Sequence, residues 1–330
     1  MTRCWMPLVG AAFVVAGCGG SPTLGEDDGN DDPIFEAGPI CINRDCGDIF
    51  VIGDVPDAEN LLRTSSGRLF VSGGTQVFEV RADAGAFALE ERAGENCNFT
   101  GMTEAFGHLY AACGDGGLFA ASLASSTPTL ARIHTLDGVG LPNGMATGPD
   151  DCLYITDGPL AVAISTLLQP KIVRVCPDPV APTRILEQRT WLNLPLTYPN
   201  GLIATADALI YTDTAIGALQ SRIIEVPFSA DGMPGDSRVI YSQLTLFDDL
   251  TRHGNTLVVT DFLAGRLLQI DRDGLLLQQS AANTHVGPSS VLVAGPPVFQ
   301  PLDVLVTEKG LLGDTLSGIG NRLVMIRQRD

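Results

Sequence analysis

The sequence predicts an all-β chain folded as a six-bladed β-propeller with four antiparallel strands in each blade. Three observations carry this prediction. A motif recurs six times, its recurrences are spaced by one blade's worth of chain, and apolar runs of strand length follow one another with no long helical period between them.

The motif is clearest in "LPNGMATGPDDCLYITD" (141–157) and "YPNGLIATADALIYTD" (198–213). Altered versions are "AENLLRTSSGRLFVSG", "NFTGMTEAFGHLYAACG", "LFDDLTRHGNTLVVTD" and "GPSSVLVAGPPVFQPLDVLVTEKG". Each has a head residue, a first strand, a turn, and a second strand ending near Ser72, Ala112, Thr156, Thr212, Thr260 or Thr307. The separations of these ends are 40, 44, 56, 48 and 47 residues, the length of a four-stranded blade. Third strands follow as "QVFEV", "GLFAAS", "KIVRV", "RIIEV", "RLLQI" and "RLVMI", and a less regular fourth follows in several repeats. Val, Ile, Leu and aromatic residues dominate them, and Gly, Asp and Pro mark the turns. A single ring accounts for 330 residues better than two domains do, because each blade buries its faces against its neighbours. Residues 49–51, in "IFVIGD", are placed as the outermost strand of the last blade, joining the two ends of the chain.

In five repeats the head precedes the aligned strand end by 12 or 13 positions; in the sixth, "GPPVFQP" stretches the interval. If each head begins the innermost strand, Glu59, Thr100, Asn143, Asn200, Asp248 and Ser289 form a ring at one end of the channel. Two readings compete for the repeated Asn-Gly. One is turn chemistry, since both residues tolerate positive φ. The other is a metal site, since Glu59, Asn143, Asn200 and Asp248 are hard oxygen donors whose charges sum to −2, a set that suits Ca2+. No head is His or Cys, which argues against zinc or copper.

These motifs, with "FDDLTRHGNTLVVTDFLAGRLLQIDRDG", resemble the six-bladed propellers of the regucalcin/gluconolactonase group and the related paraoxonases and strictosidine synthase-like proteins. The resemblance covers about residues 47–330. It implies a divalent metal, often calcium, on Glu59, Asn143, Asn200 and Asp248, and hydrolysis of a small-molecule lactone or related ester. Asp248 is then the implied proton acceptor, with Asp249 a further ligand or an alternative base. Thr100, Ser289 and His285 are the candidate substrate contacts, although an ordinary loop role for His285 competes. Paraoxonase-like members carry His at the head of the second blade, where this chain has Thr100, so a His mechanism of that type is not expected. The alternative is a non-catalytic propeller that binds a ligand or a protein and keeps the metal for structure; an NHL-type repeat scaffold would lack the oxygen ring. The chain has no Gly-x-Ser-x-Gly elbow, His-Glu-x-x-His helix or P-loop.

The N-terminus predicts export. Residues 1–17 carry one base, Arg3, and an apolar run too short to span a bilayer. "VAGC" resembles the lipobox of bacterial lipoproteins, which makes Cys18 the lipidated residue; Gly19 after it resembles outer-membrane sorting. The expectation is a protein anchored in the bacterial cell envelope, monomeric, with residues 18–40 an acidic, Gly/Pro/Ser-rich tether and 41–330 the propeller. Residues 37–330 hold 32 acids and 19 Lys or Arg, a balance that excludes a nucleic-acid footprint. Six cysteines remain in the body, an even number that suggests disulfides in an exported chain. Cys152 opens one strand and Cys176 closes the next, so antiparallel pairing sets them opposite each other; Cys97 with Cys113 and Cys41 with Cys46 complete the set. No cysteine spacing fits a zinc site.

Overall fold

The computed structural model describes residues 39–83, 86–158, 169–195, 197–215, 217–311 and 318–329. The export signal, Cys18 and most of the expected tether lie outside the described residues. Six four-stranded antiparallel sheets follow one another along the chain. Blade 1 is β2 (Ala58–Arg63), β3 (Leu69–Gly73), β4 (Gln76–Asp83) and β5 (Ala86–Glu91). Blade 2 is β6 (Phe99–Ala105), β7 (His108–Cys113), β8 (Gly117–Ser122) and β9 (Ala131–Thr135); blade 3 is β10 (Pro142–Thr147), β11 (Leu153–Asp157), β12 (Lys171–Pro177) and β13 (Ile185–Asn193). Blade 4 is β14 (Tyr198–Ala204), β15 (Ala208–Ala215), β16 (Gln220–Pro227) and β17 (Arg238–Leu244); blade 5 is β18 (Phe247–His253), β19 (Thr256–Asp261), β20 (Arg266–Asp271) and β21 (Leu276–Gln279).

Blade 6 takes three strands from the C-terminal end, β22 (Pro288–Val293), β23 (Val304–Glu308) and β24 (Arg322–Gln328). Its fourth is β1 (Gly47–Asp54), which pairs with β24 so that Ile49 faces Ile326 and Val51 faces Val324. The ring is therefore closed by the strand expected at 49–51.

Hydrophobic burial runs between blades rather than within one centre. Six apolar clusters each combine residues of two successive blades, such as Tyr154, Trp191, Leu209 and Tyr211 between blades 3 and 4. A blade lacking a neighbour would expose one of these faces, which is why closure matters to stability. The three expected disulfides are present: Cys41–Cys46, Cys97–Cys113 and Cys152–Cys176.

Two polar devices recur where the blades meet. In five blades the hydroxyl at the end of the second strand (Ser72, Thr156, Thr212, Thr260, Thr307) donates to the head residue's carbonyl in the next blade, at 2.5 to 3.5 Å. Blade 2 has Ala112 there, and Thr100 makes the equivalent link from the inner strand by donating to the Pro142 carbonyl at 2.9 Å. The residue after the hydroxyl is a buried acid in blades 3 to 6: Asp157, Asp213, Asp261 and Glu308. Each faces a basic residue at or near the start of the third strand, Lys171, Arg222, Arg266 or Arg322, and forms an ion pair with it. Asp157 also accepts from the backbone N–H groups of Gly140 and Leu141, so the pair ties down the loop leading into its own blade.

Candidate metal centre in the channel

Every innermost strand carries a β-bulge at its head. The pairing slips between Ala58 and Leu61, Phe99 and Met102, Pro142 and Met145, Pro199 and Leu202, Phe247 and Leu250, and Pro288 and Ser290. A bulge sets two residues against one on the partner strand and re-aims their side chains. The six heads thus lie one per blade on innermost strands.

The turn reading of Asn-Gly fails on this geometry. Gly101, Gly144 and Gly201 lie inside strands, and none is among the residues with positive φ. What requires glycine is close approach. A Cβ at Gly101 would sit on the Asn143 carbonyl, one at Gly144 on the Asn200 carbonyl, and one at Gly201 on Asp249. The corresponding positions of blades 1, 5 and 6 hold Asn60, Asp249 and Ser290, which bond one another: Asn60 Nδ2 donates to Asp249 Oδ2 at 3.1 Å, and the Ser290 hydroxyl donates to the same oxygen. Asn60 Oδ1 accepts from the Met102 N–H at 3.2 Å, reaching to blade 2.

Among the heads, Asn200 and Asp248 are joined by a hydrogen bond, Glu59 lies close enough for its charge to act on Asp248, and Asn143 is held on Tyr198. Asn200 Nδ2 donates to Asp248 Oδ1, and Asn143 Nδ2 donates to the Tyr198 hydroxyl at 3.3 Å. Burial pushes the Asp248 carboxyl well above the ordinary carboxylate range, and the charges of Glu59 and Asp249 push it further; Lys309 and Asn200 oppose this. The neighbouring Asp249, also buried, is raised to about 7 by burial despite the hydrogen bonds from Ser290 and the Leu250 N–H. The Tyr198 phenol is also raised, by burial and then by Asp248 and Glu59.

Thr100 and Ser289 are nearly enclosed, and their hydroxyls are engaged: Ser289 donates to the Ala58 carbonyl at 2.7 Å, as Thr100 does to Pro142. The His285 side chain is fully buried rather than open at the mouth, with Nδ1 2.9 Å from Glu308 Oε1. It belongs to the blade 6 ion pair. Burial raises the Glu308 carboxyl, but His285 and Arg322 outweigh it and hold the group below its ordinary range.

Sequence reasoning passed over Tyr198, Lys309 and Asp57. Lys309 Nζ lies 2.8 Å from Asp57 Oδ1 and also contacts Glu59 Oε2. Burial disfavours its charge, yet Glu59 and Asp57 outweigh that and raise its pKa. A signal was available: two residues beyond the aligned strand ends the other repeats carry Gly74, Gly114, Gly158, Thr214 and Phe262, so Lys309 is the one charge in that column.

The residues present fit a hard divalent cation. The donors are oxygens, two carboxylates are forced toward each other in a buried site, and the three glycines leave the wall without side chains. Glu59, Asn143, Asn200 and Asp248 would hold it.

Comparison with solved structures finds the same architecture. The gluconolactonase XC5397 of Xanthomonas campestris superposes with a TM-score of 0.64 at 16% identity, over 89% of this chain and 96% of that one. The two share the six-bladed propeller fold. A luciferin-regenerating enzyme matches with a TM-score of 0.65 at 13% identity, over 85% and 95% of the two chains. Regucalcin of Agrobacterium tumefaciens, a calcium-binding protein, matches at 0.60 and 15% identity, over 87% and 93%. The sequence matches no family model and no curated protein.

Proposed function

We propose that this protein is a lipid-anchored hydrolase of lactones or related esters that depends on a divalent cation, Ca2+ in the first instance. What supports the reading is the buried Asp248, which accepts from the Asn200 amide and feels the charge of Glu59, with Asn143 held on the hydroxyl of Tyr198, two residues before Asn200. The shared fold with a gluconolactonase supports the same reaction class. Anchoring rests on the spacing of residues 1–18.

When bound, the cation supplies Lewis acidity toward a carbonyl oxygen. This chain's own residues orient and move protons. With a cation beside it the buried Asp248 carboxyl would be held ionised, and in that form it could accept a proton from the attacking water. Asn143 donates to the Tyr198 oxygen, so the phenol's own hydrogen is left to stabilise a developing oxyanion. Asn60, Asp249 and Ser290, the residues that follow three of the heads, are tied to one another by hydrogen bonds and hold those strands in register.

The test is a panel of lactones and aryl esters, assayed with and without chelator on the wild type and on Asp248→Ala. Turnover that chelation abolishes and that falls at least about a hundredfold in the variant is expected. Turnover indifferent to both would overturn the reading. The second reading, a binding propeller with a structural cation, is favoured by the ammonium group that Lys309 already places on Glu59. Stabilisation by calcium with no turnover on any substrate would select it.

A further inference from the structure

We infer that Lys309 is a built-in counter-ion of the channel site, which limits the affinity for a divalent cation by holding one oxygen of Glu59. The inference rests on the metal reading of the ring and concerns how tightly that ring binds.

The position of Lys309 is fixed from several directions. It follows Glu308 at the end of β23, and Glu308 is held behind the ring by His285 and Arg322. The Lys309 N–H donates to the Gly287 carbonyl at 2.9 Å and the Gly310 N–H to the Val286 carbonyl at 3.0 Å, which fixes the backbone that launches the side chain. Successive side chains of an extended segment point opposite ways, so with Glu308 turned back, Lys309 points forward. Its ammonium group crosses from blade 6 to blade 1, where Asp57 and Glu59 receive it. Asp57 is fixed in turn by its backbone N–H, which donates to Asn321 Oδ1 at 2.7 Å.

Two consequences follow for a cation on the ring. Glu59 Oε2 is taken by the ammonium, which leaves Oε1 and restricts Glu59 to one-oxygen ligation. A second positive charge arriving on the same carboxylate is repelled, and the repulsion is little screened in a partly buried site. Lys309 meets both Asp57 and Glu59 and so offsets part of the negative charge that the carboxyl groups on this side of the ring can carry. The ring can thus keep its carboxylates together without a metal, and it binds one weakly enough to exchange.

The experiment is calorimetric titration of the full-length protein with calcium chloride, comparing wild type, Lys309→Met and Lys309→Arg, with thermal melting of each in chelator. Lys309→Met, similar in length and uncharged, is expected to bind calcium at least about tenfold more tightly and to melt lower in chelator. Lys309→Arg keeps the charge and is expected to stay within about threefold of wild type. Should Lys309→Met not fold, Lys309→Gln carries the same expectation. Calcium binding to Lys309→Met alone, with none to wild type, would support the counter-ion role. Equal or weaker affinity in Lys309→Met overturns the inference and leaves the metal reading standing. Absence of calcium binding in wild type and in every Lys309 variant overturns both.

Discussion

Two sets of buried carboxylates sit on the inner two strands of the blades and are treated in opposite ways. Behind the ring, Asp157, Asp213, Asp261 and Glu308 each meet a base on the adjacent strand, and Asp157 and Asp261 also accept backbone N–H groups. In the channel, Asp248 and Asp249 have amide, hydroxyl and backbone partners but no salt bridge among the described residues, and both have raised pKa values. A buried acid with its base is part of the joint between structural elements. A buried acid without one is poised to gain a proton or a cation, which is the condition a functional site requires.

The sharpest way to break this contrast is to remove a base from the first set. Arg266→Ala leaves Asp261, which is wholly buried, without its ion partner, and a loss of about 3–5 kcal/mol is expected in denaturant unfolding. A loss below about 1 kcal/mol would put Asp261 with the unpaired set instead.

The second set responds to pH with the opposite sign. Asp249 has a folded pKa of about 7 against an ordinary value of 3.8, so between those values the folded state binds more protons than the unfolded state. Its contribution therefore falls as pH rises toward 7 and is constant above it. Between pH 5 and 8 the loss amounts to about 3 kcal/mol, measured in chelator so that no cation neutralises the ring. Asp249→Asn is expected to remove this loss and to be the more stable protein at pH 8. A wild type whose stability is flat over that interval would contradict the assignment.

Blade 2 sharpens the contrast from a third side. Cys113 occupies the position of the clamp acid, and its disulfide to Cys97 reaches the loop leading into the same blade, where Asp157 uses hydrogen bonds in blade 3. The bridge closes a span of 16 residues. Replacing both cysteines with Ser is expected to cost about 2–3 kcal/mol, read as a lowered denaturant midpoint. A negligible change would show that blade 2 needs no tie at this position.

The sequence by itself determined the blades. Strand periodicity and the six-fold spacing are local properties, and they fixed the number of sheets, the strand-end alignment from Ser72 to Thr307, and the pairing of Cys152 with Cys176. It also fixed which residue heads each inner strand, because a repeat carries its own alignment. Tertiary structure alone decided what those positions meet. The glycines after Thr100, Asn143 and Asn200 look like turn residues in a linear reading, and only the neighbouring blade's carbonyl shows that they permit close packing. The aligned hydroxyls and acids were visible as Thr-Asp, but their partners lie on another blade or across a strand pair. His285 looked free because Glu308 is 23 residues away, and Lys309 looked incidental because Glu59 is 250 residues away. Contacts of such separation form only when the ring closes, since closure is what brings blade 6 against blade 1.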